Sequence, residues 1–190
     1  RARPVWQLFP LDKEAAPAYA DKKYGKEQLI MKHEKKTNVM RILDKAGIVY
    51  ETKDYEYDEN DLSGVHAAEA LGFDPDMVFK TIVVRGDRTG PVVLCLPSEK
   101  ELDLKAAARV SGNKSVVMLH VKDLPGLTGY IRGGCSPIGM KKQFPTYIDA
   151  ACRDHEKISV SAGQRGKQVL LAPSDLIRFI GARVEDITQK

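Results

Sequence analysis

Apolar positions recur along this chain with two periods, and the alternation between them marks out the elements. Val39, Met40, Ile42, Leu43 and Ala46 fall at helical spacing. Thr37 precedes them as a capping residue, and Gly47 follows as a residue able to adopt the left-handed conformation of a helix stop. The segment 48–55 predicts a strand. Ser63 predicts the cap of a short helix carrying Val65, Ala68 and Leu71, ended by Gly72, and Asp74-Pro75-Asp76 is turn chemistry. The strongest β signal is 77–84. Gly86 to Gly90 then forms a loop and 91–96 pairs back as a hairpin. Asp103 predicts the cap of a third helix, with Leu104, Ala107, Ala108 and Val110 before Gly112. Short strands follow at 115–119, 146–149, 158–161 and 168–171. Pro173 begins a last helix that runs through Ile180 to Gly181.

Strands and helices are thus mixed, without the strict strand–helix alternation of a doubly wound sheet. The expected class is α+β: a mixed, curled, barrel-like β-sheet with helices flanking it. Residues 1–30 lack the periodicity of a packed element. The expected organisation is therefore an extension over 1–30 and a single domain over 31–190, with the boundary at Met31. The chain has 190 residues, 43% hydrophobic and 29% charged, a composition that excludes a disordered tail or a fibrous repeat. Its apolar runs fall far short of the ~20 residues that span a bilayer, and no basic stretch followed by an apolar one opens the chain. Cys95, Cys135 and Cys152 are odd in number and lack the spacing of a metal knuckle, which predicts a reducing compartment, the cytoplasm.

Charge changes the picture by its position. The net charge is +4, and residues 1–30 contribute +2 of it. Residues 51–76 hold nine acidic and one basic side chain, whereas residues 77–190 hold 18 basic and 11 acidic. Either this is a solvated acidic loop on an ordinary surface, or the basic remainder meets a polyanion while the acidic stretch faces elsewhere.

Most catalytic constellations are absent. There is no glycine-rich dinucleotide or phosphate loop, no nucleophile elbow, and no cysteine beside an obvious base. His33, His66, His120 and His155 are scattered without metal-ligand spacing, so no metal and no cofactor are expected. Two features remain. Lys80 interrupts the apolar strand, sharing a face with Val78, Ile82 and Val84, while Thr81 points to the other face. Burying an unpaired ammonium costs on the order of several kcal/mol. Either Lys80 is a solubilising residue on an edge strand, or it faces a pocket where something electron-rich compensates. The second feature is the run 128–139, with Gly129, Gly133, Gly134 and Gly139 bracketed by Arg132, Lys141 and Lys142; the run 161–166 repeats the theme around Arg165. Such a backbone can approach a ligand closely and offer N–H groups to an oxygen. Irregular turns at sheet corners would look the same.

These segments carry a resemblance. The strand 78–84, the run Glu101-Leu-Asp-Leu-Lys105, the glycine-rich run 128–139 and the segment 158–166 resemble the signatures of the YbaK family. Its members are free-standing relatives of the editing domain inserted in bacterial prolyl-tRNA synthetase. The likeness runs from about Thr37 to the end and is strongest to the YbaK/EbsC branch of Cys-tRNA(Pro) deacylases. The resemblance implies trans-editing: removal of mischarged cysteine from the 3′ end of tRNA(Pro), because a pocket for a small apolar ring rejects a similar side chain weakly. It implies catalytic roles for Lys80, at the ester or terminal adenosine, and for Gly133. It implies substrate-binding roles for Tyr55, Thr81, Gly134, Ser136, Ser161 and Gly163. It requires no protein nucleophile, since the substrate's own thiol attacks the ester carbonyl. The implied partners are aminoacyl-tRNA and prolyl-tRNA synthetase, with no membrane. Gln168 departs from the family pattern, which is commonly acidic there, and Cys135 stands at a commonly aliphatic position. A deacylase for alanine or another small residue and a non-catalytic nucleic-acid-binding regulator are the alternatives.

Overall fold

Thr37 starts the first helix by geometry as well as by residue type. Its backbone is extended and its hydroxyl accepts the N–H of Met40 at 3.2 Å. The computed structural model describes residues 36–189. The expected extension over 1–30 and its boundary at Met31 lie outside the described residues.

Helix α1 (Asn38–Ala46) buries Val39, Met40 and Leu43 and ends at Gly47 with φ 67°. Strand β1 (Glu51–Asp54) follows, then α2 (Gly64–Leu71), capped by Ser63. Strands β2 (Phe79–Gly86) and β3 (Gly90–Pro97) form the hairpin, and α3 (Leu104–Val110) is capped by Asp103. Strand β4 (Val116–Met118) leads through a 3-10 turn into α4 (Leu124–Thr128). Strands β5 (Thr146–Asp149), β6 (Ile158–Ser161) and β7 (Lys167–Leu171) precede α5 (Pro173–Ile180) and β8 (Arg183–Glu185). The helix caps fall where the sequence puts them. The strand expected from residue 77 instead begins at Phe79 and runs on to Gly86, because hairpin pairing continues to Gly86 opposite Gly90. Helix α4 and strand β8 are unforeseen, five and three residues long, too short to display a period.

The mixed α+β class is what forms. Among the described residues the strands make two open sheets, one of five in the order β4-β2-β3-β5-β8 and one of three in the order β1-β7-β6. No closed barrel forms from them. The sheets meet at a bridge between Val78 and Ser159, where the Ser159 N–H donates to the Met77 carbonyl at 2.8 Å. Strand β3 is buried from Val92 to Pro97 because both faces of the larger sheet are covered. Phe79, Val83, Val93 and Cys95 pack on one side with α1, β6, β7 and Leu176 of α5; Val84, Val92, Leu94 and Leu96 pack on the other with Ala107 and Ala108 of α3.

One interruption in this arrangement sets the site. β2 pairs with β3 along its whole length, but β4 covers its opposite edge only from Val84, helped by the Leu119 N–H on the Val83 carbonyl. The bridge to β6 covers that edge only at Val78. Between them the edge of β2 is bare. Ser98 donates its N–H to the Val78 carbonyl, so the even-numbered residues of β2 exchange hydrogen bonds with β3. By the same alternation the N–H and C=O of Thr81 point into the gap.

Candidate active site

A cavity of about 400 Å³ opens on the bare edge of β2. The strand supplies Val78 through Val83, α2 supplies Gly64 and Ala67, and Met118, Leu119, Val121 and Leu124 form an apolar wall. Tyr55, Leu62, Arg132, Gly133, Cys135, Ser161 and Gln168 complete the lining. The volume is at the small end of the roughly 300–1,000 Å³ typical of ligand pockets.

Lys80 stands opposite Leu96 and is half-buried. Its Nζ donates to the Ser98 carbonyl at 3.0 Å, and among the described residues no carboxylate lies within ion-pair reach of it. Burial pushes its ammonium below the usual lysine range, and the negative charge of Glu101 opposes that shift. Ser98 is itself held, its hydroxyl donating to the Pro75 carbonyl at 2.8 Å. A Cβ on Gly64 would sit 2.6 Å from the Ser98 Cβ, so a glycine lets α2 close onto the residue that anchors Lys80. Lys80 is not at a sheet edge in the ordinary sense. Its strand lies between β3 and β4, and its side chain reaches a cavity.

Thr81 lies opposite Cys95, with its Oγ1 3.9 Å from the Cys95 sulfur, on the face away from Lys80. Gly133 has φ 82°, and a side chain there would press on Leu62 at 3.1 Å. Tyr55 is positioned by its N–H, which donates to the Gly166 carbonyl at 2.9 Å. Ser161 accepts the N–H of Gly163 at 3.2 Å. The cavity therefore brings together Lys80, Thr81, Tyr55, Gly133 and Ser161 of the residues singled out from sequence. It does not bring in the other three. A Cβ on Gly134 would lie 3.3 Å from the backbone of Gln164 and Arg165, and its N–H donates to the Ile131 carbonyl. Ser136 is fully buried with its Oγ accepting the Ile138 N–H. Gly163, at φ 87°, makes room for Tyr130 and Val39.

Sequence reasoning overlooked Leu62, the apolar wall from β4 to α4, and Gln168 as a cavity residue. The apolar wall carries no motif. Gln168 could have been found from its place opposite Ser161 on adjacent strands. Cys135 lines the cavity, but burial pushes its thiol up to about 12, which leaves it protonated and a poor nucleophile. No Asp or Glu lines the cavity among the described residues, and its charged groups are Lys80 and Arg132. No three His, Cys, Asp or Glu side chains of the described residues converge as metal ligands would. What the arrangement can do is bind an electron-rich group against Lys80 in an apolar, donor-rich enclosure.

Comparison with known proteins adds to this geometry. Residues 62–179 match the family described as the aminoacyl-tRNA editing domain. The chain is 48% identical over 159 residues to EbsC of Enterococcus faecalis, named as a proposed Cys-tRNA(Pro)/Cys-tRNA(Cys) deacylase, covering 84% of this chain and 97% of that protein. It is 34% identical over 100 residues to the proline–tRNA ligase of Shouchella clausii, covering 53% of this chain and 17% of the ligase. A solved structure described as a proposed trans-editing enzyme for prolyl tRNA synthetase superimposes with a TM-score of 0.66 at 22% identity, over 74% of this chain and 87% of that one. At that identity the likeness establishes the fold.

Proposed function

Because the chain belongs to the aminoacyl-tRNA editing domain family, we propose that it is a deacylase that removes cysteine mischarged onto tRNA(Pro), with Cys-tRNA(Cys) as a second substrate. The observation that carries this reading is Lys80: a half-buried ammonium, tethered by one backbone carbonyl, in a cavity that no carboxylate of the described residues lines and that is sized for a small acyl group. The kinship to EbsC directs it to cysteine.

On this reading the 3′ end of the tRNA enters the cavity with its ester carbonyl toward Lys80 and Gly133. The cysteinyl sulfur attacks that carbonyl carbon, giving a tetrahedral oxyanion whose charge Lys80 stabilises. The C–O bond to the ribose then breaks, and the ribose oxygen takes up the proton that the thiol released. Water opens the resulting thiolactone to free cysteine. The sulfur and the carbonyl belong to one molecule, so the protein's part is orientation and charge stabilisation rather than nucleophilic attack. Tyr55, Thr81 and Ser161 border the acyl group, and the 133–134 turn with Ser136 behind it fixes the Gly133 wall. Prolyl-tRNA synthetase is the partner that supplies mischarged tRNA, a role supported by the match to a proline–tRNA ligase, and the setting is the cytoplasm where tRNA is charged.

A deacylation panel over Cys-, Ala- and Pro-charged tRNA(Pro), with S-methyl-cysteinyl-tRNA(Pro) as a fourth substrate, tests this. Release of cysteine, with S-methyl-cysteine and proline retained, is the expected outcome. Release of alanine in preference to cysteine would point to a small-residue deacylase. Release of no amino acid would leave a binding module.

A further inference from the structure

Gln168 is a polar side chain buried to within 7% of complete enclosure, yet it lines the cavity. Its Oε1 accepts the hydroxyl of Ser159 at 3.2 Å, which orients the carboxamide. Among the described residues its Nε2 makes no hydrogen bond, and the side chain borders the cavity. A donor pair on the wall of an enclosed cavity is free to pair with an acceptor that a ligand brings. The surroundings define what that partner can be. On β7 the adjacent Lys167 is engaged by Asp54. Across the sheet Gln168 faces Lys53 on β1 and Ser161 on β6. Lys80 from β2 and Arg132 from the glycine-rich turn face the same cavity. The two charged side chains that line the cavity are both cationic, and among the described residues no Asp or Glu lines it to receive an ammonium.

We propose that Gln168 determines which charge state of the acyl group is accepted: its carboxamide donates to an uncharged α-substituent, a neutral amine or a hydroxyl, so the cavity selects acyl esters without an α-ammonium. α-Hydroxyacyl esters are then a further substrate class. The assignment rests on the deacylase reading for its choice of ligand. Ser159 acts through Gln168 as a positioning residue.

Two non-hydrolysable adenosine probes test it by calorimetric binding, one bearing a 3′-cysteinylamino group and the other the 3′-(2-hydroxy-3-mercaptopropanoyl)amino group. At about pH 6 the α-amine of the first is charged and at about pH 9 it is neutral. Wild type is expected to bind the hydroxy probe about tenfold more tightly at the lower pH, the size of one good hydrogen bond gained against an unpaired charge, and to lose that preference at the higher pH. Gln168→Glu is expected to reverse the preference at the lower pH. A wild-type preference for the ammonium probe would overturn the assignment. So would a Gln168→Met protein that kept the full hydroxy preference, since the effect would then belong to Lys80 and Arg132. Deacylation of Cys-tRNA(Pro) without any probe preference would sink this assignment and leave the deacylase intact. Probe preference without deacylation would do the reverse, and binding of neither probe together with no deacylation would overturn both.

Discussion

Lys80 was visible in the sequence because a charged residue in an apolar, period-two strand breaks the pattern. What holds it was not. The Ser98 carbonyl is a backbone group 18 residues away, and Gly64, which admits it, lies in a helix with no motif of its own. Lys80 makes one hydrogen bond to the protein, so its removal should act on chemistry rather than on folding. Lys80→Ala is expected to lower the deacylation rate of Cys-tRNA(Pro) by about 10²–10³, as for removal of one oxyanion-stabilising donor, with thermal unfolding close to wild type. Unchanged deacylation in that variant would remove Lys80 from the mechanism. The same logic explains Ser136 and Gly163. The resemblance implied substrate-binding roles for both, but small residues serve tight packing equally well, and periodicity cannot tell the two apart.

Between elements, Tyr130 ties together the two glycine-bearing segments. Its hydroxyl donates to the Ile138 carbonyl, and side chains on Gly139 or Gly163 would collide with its ring or hydroxyl at 3.1 and 3.0 Å. Tyr130→Phe removes a buried hydrogen bond and is expected to cost about 1 kcal/mol in denaturant unfolding. Gly163→Ala adds a strained backbone at φ 87° to the contact with Tyr130 and should cost roughly 1–3 kcal/mol by the same measurement. Titration follows from the same tyrosine. Burial pushes the phenols of Tyr50 and Tyr130 up to about 12, Tyr50 also through its hydrogen bond to the Asp44 carboxylate. The folded state favours the protonated phenol. The stability this contributes is fully present below the ordinary tyrosine value near 10 and is lost as pH rises from there toward 12. Equilibrium unfolding followed from about pH 9 to 12 should show that loss, and Tyr130→Phe should flatten it. Element starts and stops were legible because Thr37, Ser63, Asp103 and Pro173 each satisfy a helix end locally. Helix α4 and strand β8 were not, because their formation depends on neighbours such as β5 rather than on their own few residues.

For the whole molecule, the charge asymmetry is real in sequence, and salt bridges offset part of it. Glu51 pairs with Lys157, Asp54 with Lys167 and Glu59 with Arg165, so three members of the acidic stretch are engaged by basic residues around β6 and β7. These pairs are largely exposed and individually worth little. The basic surface left for a polyanion is modest, which fits contact with a tRNA acceptor end. Binding of Cys-tRNA(Pro) should weaken with salt along a shallow slope, equivalent to about two or three phosphate contacts. A slope several times steeper would require a much larger footprint. Strand order lay beyond the sequence altogether. Nothing local tells β5 to lie parallel beside β3, since that pairing is settled by which faces are buried once the chain has collapsed. The gap in β2 also carries a signature in exchange with solvent deuterium. Lys80, Ile82 and Val84 give their amides to β3 and should exchange slowly, whereas Thr81, one residue along the same strand, should exchange like a loop. A bound acyl-adenosine that closes the gap would slow that single amide, making Thr81 a reporter of occupancy that needs no turnover.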